Sequence, residues 1–157
     1  MKLLLNYLYD EERLAFLHER LGKTWEIEVI DDLGDEEQVI AKLPGTDAIV
    51  GMHWKASYPR IDSLKLVQLA GAGFDGVQFD ALPETASVCN VFEHEIGISE
   101  YLLLVMLEWQ IRLMWLHSNL RQKRWVGTFQ VGAPLHGELA GKTVGFIGYG
   151  RISRETA

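Results

Sequence analysis

Cysteine is nearly missing from this chain. Cys89 is the only one in 157 residues, so no disulfide can close within it. That suits a reducing compartment. Basic residues are also in short supply, 15 against 22 acidic ones, for a formal net charge of -7. Such a balance argues against nucleic acid as the main partner, because phosphate binding needs a basic surface. A small anionic substrate stays compatible with it, since a site can be locally positive or use backbone N–H groups. Uninterrupted apolar runs of membrane length are lacking as well. The longest apolar stretch, from Ile96 to Leu116, is broken by Glu100, Glu108, Gln110 and Arg112, which argues against a membrane span. The opening Met1-Lys2-Leu3-Leu4-Leu5-Asn6 has neither the length nor the small-residue cleavage site of a secretion signal. It reads as a buried first strand, and a cytoplasmic location is the expectation. There is no internal repeat and no low-complexity tract.

What is present is the composition of a globular protein: 48% hydrophobic and 24% charged residues. The length fits one domain, or one domain and a piece of another. Strand and helix signals alternate. Lys2 to Leu8 begins the chain as a strand. Asp10-Glu11-Glu12 opens a helix that Gly22 ends near Leu21, with acids in the first turn where the helix dipole favours them. Trp25 to Val29 alternates as a second strand. Asp35 to Leu43 is a second helix stopped by Pro44-Gly45. Asp47 to Val50, Leu64 to Leu69 and Ser87 to Asn90 supply three more strands. This alternation predicts a parallel, flavodoxin-like α/β sheet. Ligands in such sheets bind beyond the carboxyl ends of the strands. Three loops fall there: Asn6-Tyr7, Gly51-Met52-His53-Trp54 and Gly71-Ala72-Gly73-Phe74-Asp75. A substrate is expected where the last two meet.

A long helix is expected from Ile96 to Leu116, apolar nearly all round in its middle. Such helices are usually buried on several sides, between domains or subunits. Residues Gln122 to Gly137 read as a connecting arm. A new unit then starts with a strand, Thr143 to Ile147, running into Gly148-Tyr149-Gly150-Arg151-Ile152-Ser153. This is a G-x-G-x-x-G turn with serine in the third place. In a dinucleotide fold the first glycine makes the turn, the second lets the pyrophosphate approach the backbone, and the third allows helix and strand to pack closely. A plain strand-to-helix turn would use the same residues, so the motif alone leaves both readings standing.

Four segments, in order, resemble the D-isomer-specific 2-hydroxyacid dehydrogenases. Residues Leu64 to Val77 are similar to the stretch entering that family's substrate loop. Ile98-Ser99-Glu100-Tyr101-Leu102-Leu103-Leu104 resembles the start of its interdomain helix. Arg121 to Trp125 resembles the basic and tryptophan segment that follows. Glu138 to Ile152 resembles the entry to its cofactor domain. The resemblance covers residues 64–157 and is only architectural before that. It implies a substrate-binding domain over 1–95, an interdomain and dimerisation segment over 96–137, and the first strand and turn of a Rossmann domain over 138–157. It implies a two-domain enzyme moving hydride between NAD or NADP and a small 2-hydroxy or 2-oxo acid, usually as a homodimer, here through the Ile96–Leu116 helix. Backbone N–H groups at Ala72 and Gly73 would hold the acid's carboxylate. Met52 and His53 would form the opposite wall. Gly148, Gly150, Arg151 and Ile152 would contact the cofactor, mostly through backbone.

The family's catalytic arginine, carboxylate and histidine lie well downstream of the glycine turn, and so does the residue choosing NAD or NADP. No catalytic residue is therefore assigned here, and the 157 residues alone are expected to be inactive. The histidines do not fill the gap. His94-Glu95 is followed by Ile98 where a zinc-binding H-E-x-x-H motif needs its second histidine, so no metal is expected. His18 and His117 fall on helices, His136 falls in the arm, and His53 suits a substrate wall better than acid–base chemistry. The competing readings are a non-catalytic acid-binding or protein-interaction module on the same fold, and a flavodoxin-like signalling domain. Val50-Gly51 offers no phospho-acceptor aspartate for the latter.

Overall fold

The computed structural model describes residues 1–127 and 135–157. It divides into two compact units, Met1–Phe92 and Glu93–Ala157.

The first unit is built on five strands: β1 (Lys2–Leu5), β2 (Glu26–Val29), β3 (Ala48–Gly51), β4 (Leu66–Leu69) and β5 (Ser87–Cys89). All pair in parallel, in the order β2-β1-β3-β4-β5. This is the expected flavodoxin-like order. The interior strand β1 is apolar at consecutive positions because both faces are covered: Leu3, Leu4 and Leu5 are all buried. Leu4, Ile49, Val67 and Leu69 join Ile30, Val39, Leu43, Trp54 and Leu64 in one core. Asp47 ties the strand entrances together. Its carboxylate accepts from the Lys2 amide at 2.8 Å and from the Lys65 ammonium at 2.9 Å. The Lys65 hydrogen bond, then that of the Lys2 amide, holds it below the usual carboxylate range.

Helix α1 (Glu11–Leu21) starts where Asp10 accepts from the Arg13 amide, and stops at Gly22, whose φ of 70° suits a residue without a Cβ. It buries none of its residues, and a groove of about 580 Å³ runs along it between Leu5, Leu8, Phe16 and Leu17. Helix α2 (Glu36–Lys42) is capped in the same way by Asp35 on the Gln38 amide.

In the second unit the expected single helix is two. Helix α3 (Glu95–Ile111) closes and α4 (Leu113–Arg121) begins around Arg112, which sits in the left-handed region at φ 59°. An L-residue there costs about 1–2 kcal/mol. Three contacts offset this. The Arg112 amide still bonds the Glu108 carbonyl at 2.8 Å, the Glu108 carboxylate caps the Met114 amide at 3.1 Å, and the Arg112 guanidinium lies 4.9 Å over the Trp115 ring. Two of the side chains that interrupt the apolar run, Glu108 and Arg112, thus help turn the chain. The expected arm falls partly on residues 128–134, outside the described residues.

Residues 143–147, expected as a strand, join no ladder among the described residues. A strand exists through its partner, and none of β1 to β5 pairs with this segment. Val144 and Ile147 are exposed. The turn and helix that follow do form, with α5 spanning Arg151–Thr156. No described helix is long and apolar enough to cross a membrane.

Candidate functional site

The carboxyl ends of β3 and β4 lie side by side, with Gly51 opposite Leu69. Their loops therefore leave the sheet together. The Ala70 amide bonds the Gly51 carbonyl at 3.1 Å, which carries the pairing one residue past β4. Beyond it a second, shorter pairing forms. Trp54 donates its amide to the Gly76 carbonyl at 3.0 Å, and the Gln78 amide donates to the Trp54 carbonyl at 2.8 Å. Trp54 and Val77 thus make a parallel bridge outside the main sheet.

Between these two pairings lie the four residues expected to bind substrate, on two loops that touch at Gly71 and Gly76. The Met52 methyl stands 3.1 Å from where a Cβ on Gly71 would be. The His53 ring packs over Gly76, where an added Cβ would meet both His53 Cδ2 and the Met52 carbonyl at 2.6 Å. The far side of the loop is fixed by the exit of β5. Asn90 donates its side-chain amide to the Ala72 carbonyl at 2.9 Å, and the Val91 amide reaches the Gly71 carbonyl at 3.3 Å. With those carbonyls engaged, the peptide planes are held in one setting. Among the described residues no acceptor meets the amides of Ala72 and Gly73, and Gly73 is exposed. Two unmatched N–H groups on a fixed, side-chain-poor loop can bind a carboxylate.

Gly76, Trp54 and Asn90 were not singled out from the sequence. Gly76 had a signal, as a third glycine closing the Gly71-to-Gly76 run. The bridge between two loops and the reach of Asn90 carry no local pattern. Asn6, in the third loop, pairs its amide with the Val50 carbonyl at 2.8 Å and sits against Gly51. Its side-chain oxygen is buried without a hydrogen-bond partner.

The glycine turn lies in the second unit. Gly148 takes φ 88°, a left-handed setting that favours glycine. Ser153 donates its hydroxyl to the Gly148 carbonyl at 3.0 Å, so the serine in the third place closes the turn rather than disturbing it. Gly150 caps α5 with extended backbone, and its carbonyl accepts from the Arg154 amide at 3.0 Å. Arg151 and Ile152 form the first turn of α5. The Arg151 side chain is paired with Glu95, Nε to Oε1 at 2.7 Å. These are the parts a dinucleotide turn needs: a tight left-handed glycine, a second glycine without a side chain in the way, and a helix start behind it. Among the described residues no group of three histidine, cysteine or acidic side chains gathers as a metal site.

No family model matches the chain. In sequence it is 29% identical over 150 residues to D-3-phosphoglycerate dehydrogenase of Mycobacterium tuberculosis, covering 87% of this chain and 26% of that protein. In fold it resembles NAD-dependent formate dehydrogenase from Staphylococcus aureus, solved in complex with NAD. The TM-score is 0.70 at 23% identity, covering 100% of this chain and 52% of the other. It also resembles apo D-lactate dehydrogenase from Escherichia coli, with a TM-score of 0.60 at 23% identity, covering 99% and 51%. The chain thus spans about a quarter of the curated relative and about half of each solved chain. The paired loops after β3 and β4 and the glycine turn thus stand in a chain that is similar in sequence to a D-3-phosphoglycerate dehydrogenase and shares the fold of the solved dehydrogenase chains.

Proposed function

We propose that this chain supplies the substrate loop and the cofactor-entry turn of an NAD(P)-dependent oxidoreductase that reduces small 2-oxo acids to D-2-hydroxy acids. The observation that carries the reading is the fixed loop after β4, whose Ala72 and Gly73 amides have no acceptor among the described residues, beside the wall made by Met52 and His53. In this reading the two amides hold the acid's carboxylate, and Met52 and His53 bound the rest of the molecule. Gly148, Gly150, Arg151 and Ile152 receive the dinucleotide, with NAD and NADP both compatible. The bound cofactor supplies the hydride. The relatives' names point the same way, being dehydrogenases and in one case an NAD complex. The division into 1–95, 96–137 and 138–157 and a cytoplasmic location belong to the same proposal.

No arginine, carboxylate and histidine are assigned to the reacting carbon, so these 157 residues are expected to bind without turnover. Amide chemical shifts test this directly. Pyruvate should perturb Met52, His53, Ala72 and Gly73, and NAD or NADP should perturb residues 148–152. Perturbation by pyruvate alone would favour an acid-binding module. Silence to both ligands would overturn the proposal, and steady oxidation of NADH with a 2-oxo acid would overturn the expected inactivity.

Association is proposed through α3. Tyr101, Leu104 and Trp109 are 63%, 60% and 82% exposed on it, and an apolar surface of that kind marks an interaction site. Sedimentation should give a dimer, and Leu104→Glu should shift it toward monomer. A monodisperse monomer at tens of micromolar would contradict this.

A further inference from the structure

Helix α3 buries the wrong residues for its composition. It is largely apolar, yet its two buried residues are Glu95 and Ser99. Burial of polar groups is costly unless they are hydrogen-bonded, so their partners explain the packing. The two are four residues apart and share a helix face. Both face α5. The Glu95 carboxylate accepts from Arg151 Nε at 2.7 Å. Ser99 Oγ lies 3.2 Å from Thr156 Oγ1, which gives its own proton to the Ile152 carbonyl at 2.8 Å, so the serine is the donor between the two hydroxyls. Arg151 and Thr156 are the first and last residues of α5. A six-residue helix cannot hold itself in water. Its two ends are pinned by two side chains of α3, and its first residue follows Gly150 of the turn directly.

We propose that Glu95 is a positioning residue for the dinucleotide turn, holding Arg151 and, with Ser99, locking α5 in the orientation that the turn presents to its ligand. The proposal rests on the cofactor reading given above. Glu95 touches no ligand in this role. It acts by fixing Arg151 and the backbone after Gly150. The ion pair also keeps the Glu95 carboxyl below its usual range, with the Arg151 hydrogen bond as the leading cause, so the charge is present at neutral pH.

The test uses the full chain with Glu95→Gln, Glu95→Asp and Ser99→Ala. Two readouts are taken: the NAD Kd by amide-shift titration, and hydrogen exchange of residues 151–157 without ligand. Glu95→Gln should raise the Kd about tenfold, the worth of a hydrogen bond between charged groups. It should speed exchange across 151–157 while leaving residues 1–92 unchanged. Glu95→Asp keeps the charge and should recover part of the affinity, which a mere packing role would not predict. Ser99→Ala should show a smaller effect in the same direction. Unchanged or tighter NAD binding in Glu95→Gln would overturn the proposal. If the unaltered chain binds no NAD, the cofactor reading itself fails. Exchange alone then judges the clamp: faster exchange in Glu95→Gln sustains it, and equal exchange ends it.

Discussion

Trp54→Ala is expected to destabilise the first unit by about 3–5 kcal/mol, the usual loss for emptying a buried aromatic site. Trp54 is fully buried although it lies in a loop. Its ring meets Tyr58 edge-on, with centroids 5.3 Å apart and planes at 88°. Its indole N–H donates to the Ala81 carbonyl at 3.1 Å, at the end of the short 3-10 turn Phe79–Ala81. Alanine would remove the ring, its edge contact and the donor together, and leave that carbonyl short of a partner. Domains are typically stable by only about 5–15 kcal/mol, so the variant should stand near the edge of unfolding. Urea denaturation measures it through the fall in midpoint. Trp54→Phe keeps much of the volume and lacks the donor, so it should cost clearly less. A loss under about 1 kcal/mol for the alanine variant would mean that the loop after β3 is not anchored through this side chain.

Gly76→Ala should do the opposite kind of damage, by adding one carbon where there is no room. The new Cβ would sit 2.6 Å from both the Met52 carbonyl and His53 Cδ2. An imidazole can swing away, but a backbone carbonyl cannot move without breaking the Trp54–Gly76 hydrogen bond beside it. Overpacking of this kind costs about 1–3 kcal/mol. The effect on ligand should exceed the effect on folding, because the displaced atoms belong to Met52 and His53, the proposed wall of the acid site. Pyruvate binding should therefore be lost at a temperature where the variant is still folded. Gly97→Ala is the control. It lies in α3 with nothing within 4 Å of its new carbon, and should be neutral or slightly stabilising. If Gly76→Ala bound pyruvate as the unaltered chain does, the two loops would not form one site.

The sheet could be read from the sequence because a doubly covered parallel strand is a short apolar run bounded by turn residues. Leu3 to Leu5 and Asp47 to Val50 show that form, and Gly22 and Pro44-Gly45 punctuate it. That the loop of Met52 and His53 runs beside the loop of Gly71 to Gly76 followed from topology, since neighbouring parallel strands deliver their loops to one edge. Other features depend on distances that no local pattern encodes. Gly76 is needed because of a carbonyl more than twenty positions earlier. Glu95 is buried because of an arginine on another helix. The break at Arg112 was missed because apolar periodicity continues across it, while the left-handed turn is decided by Glu108 and Trp115. The expected strand at 143–147 was read from composition, which describes one side of a pairing and says nothing of the other.

The order β2-β1-β3-β4-β5 also bears on how this unit is made. Every strand after β1 joins an edge that already exists when it arrives: β2 and β3 on the two sides of β1, β4 on β3, and β5 on β4. No strand has to be inserted between two others. The sheet can grow outward in the direction of synthesis, each new piece adding to the apolar surface it covers. A nascent chain that has cleared the ribosome exit through Gly51 already owns a three-stranded seed. Translation pauses beyond that point would leave a growing edge rather than an unpaired centre, which is the safer intermediate for a chain prone to aggregate.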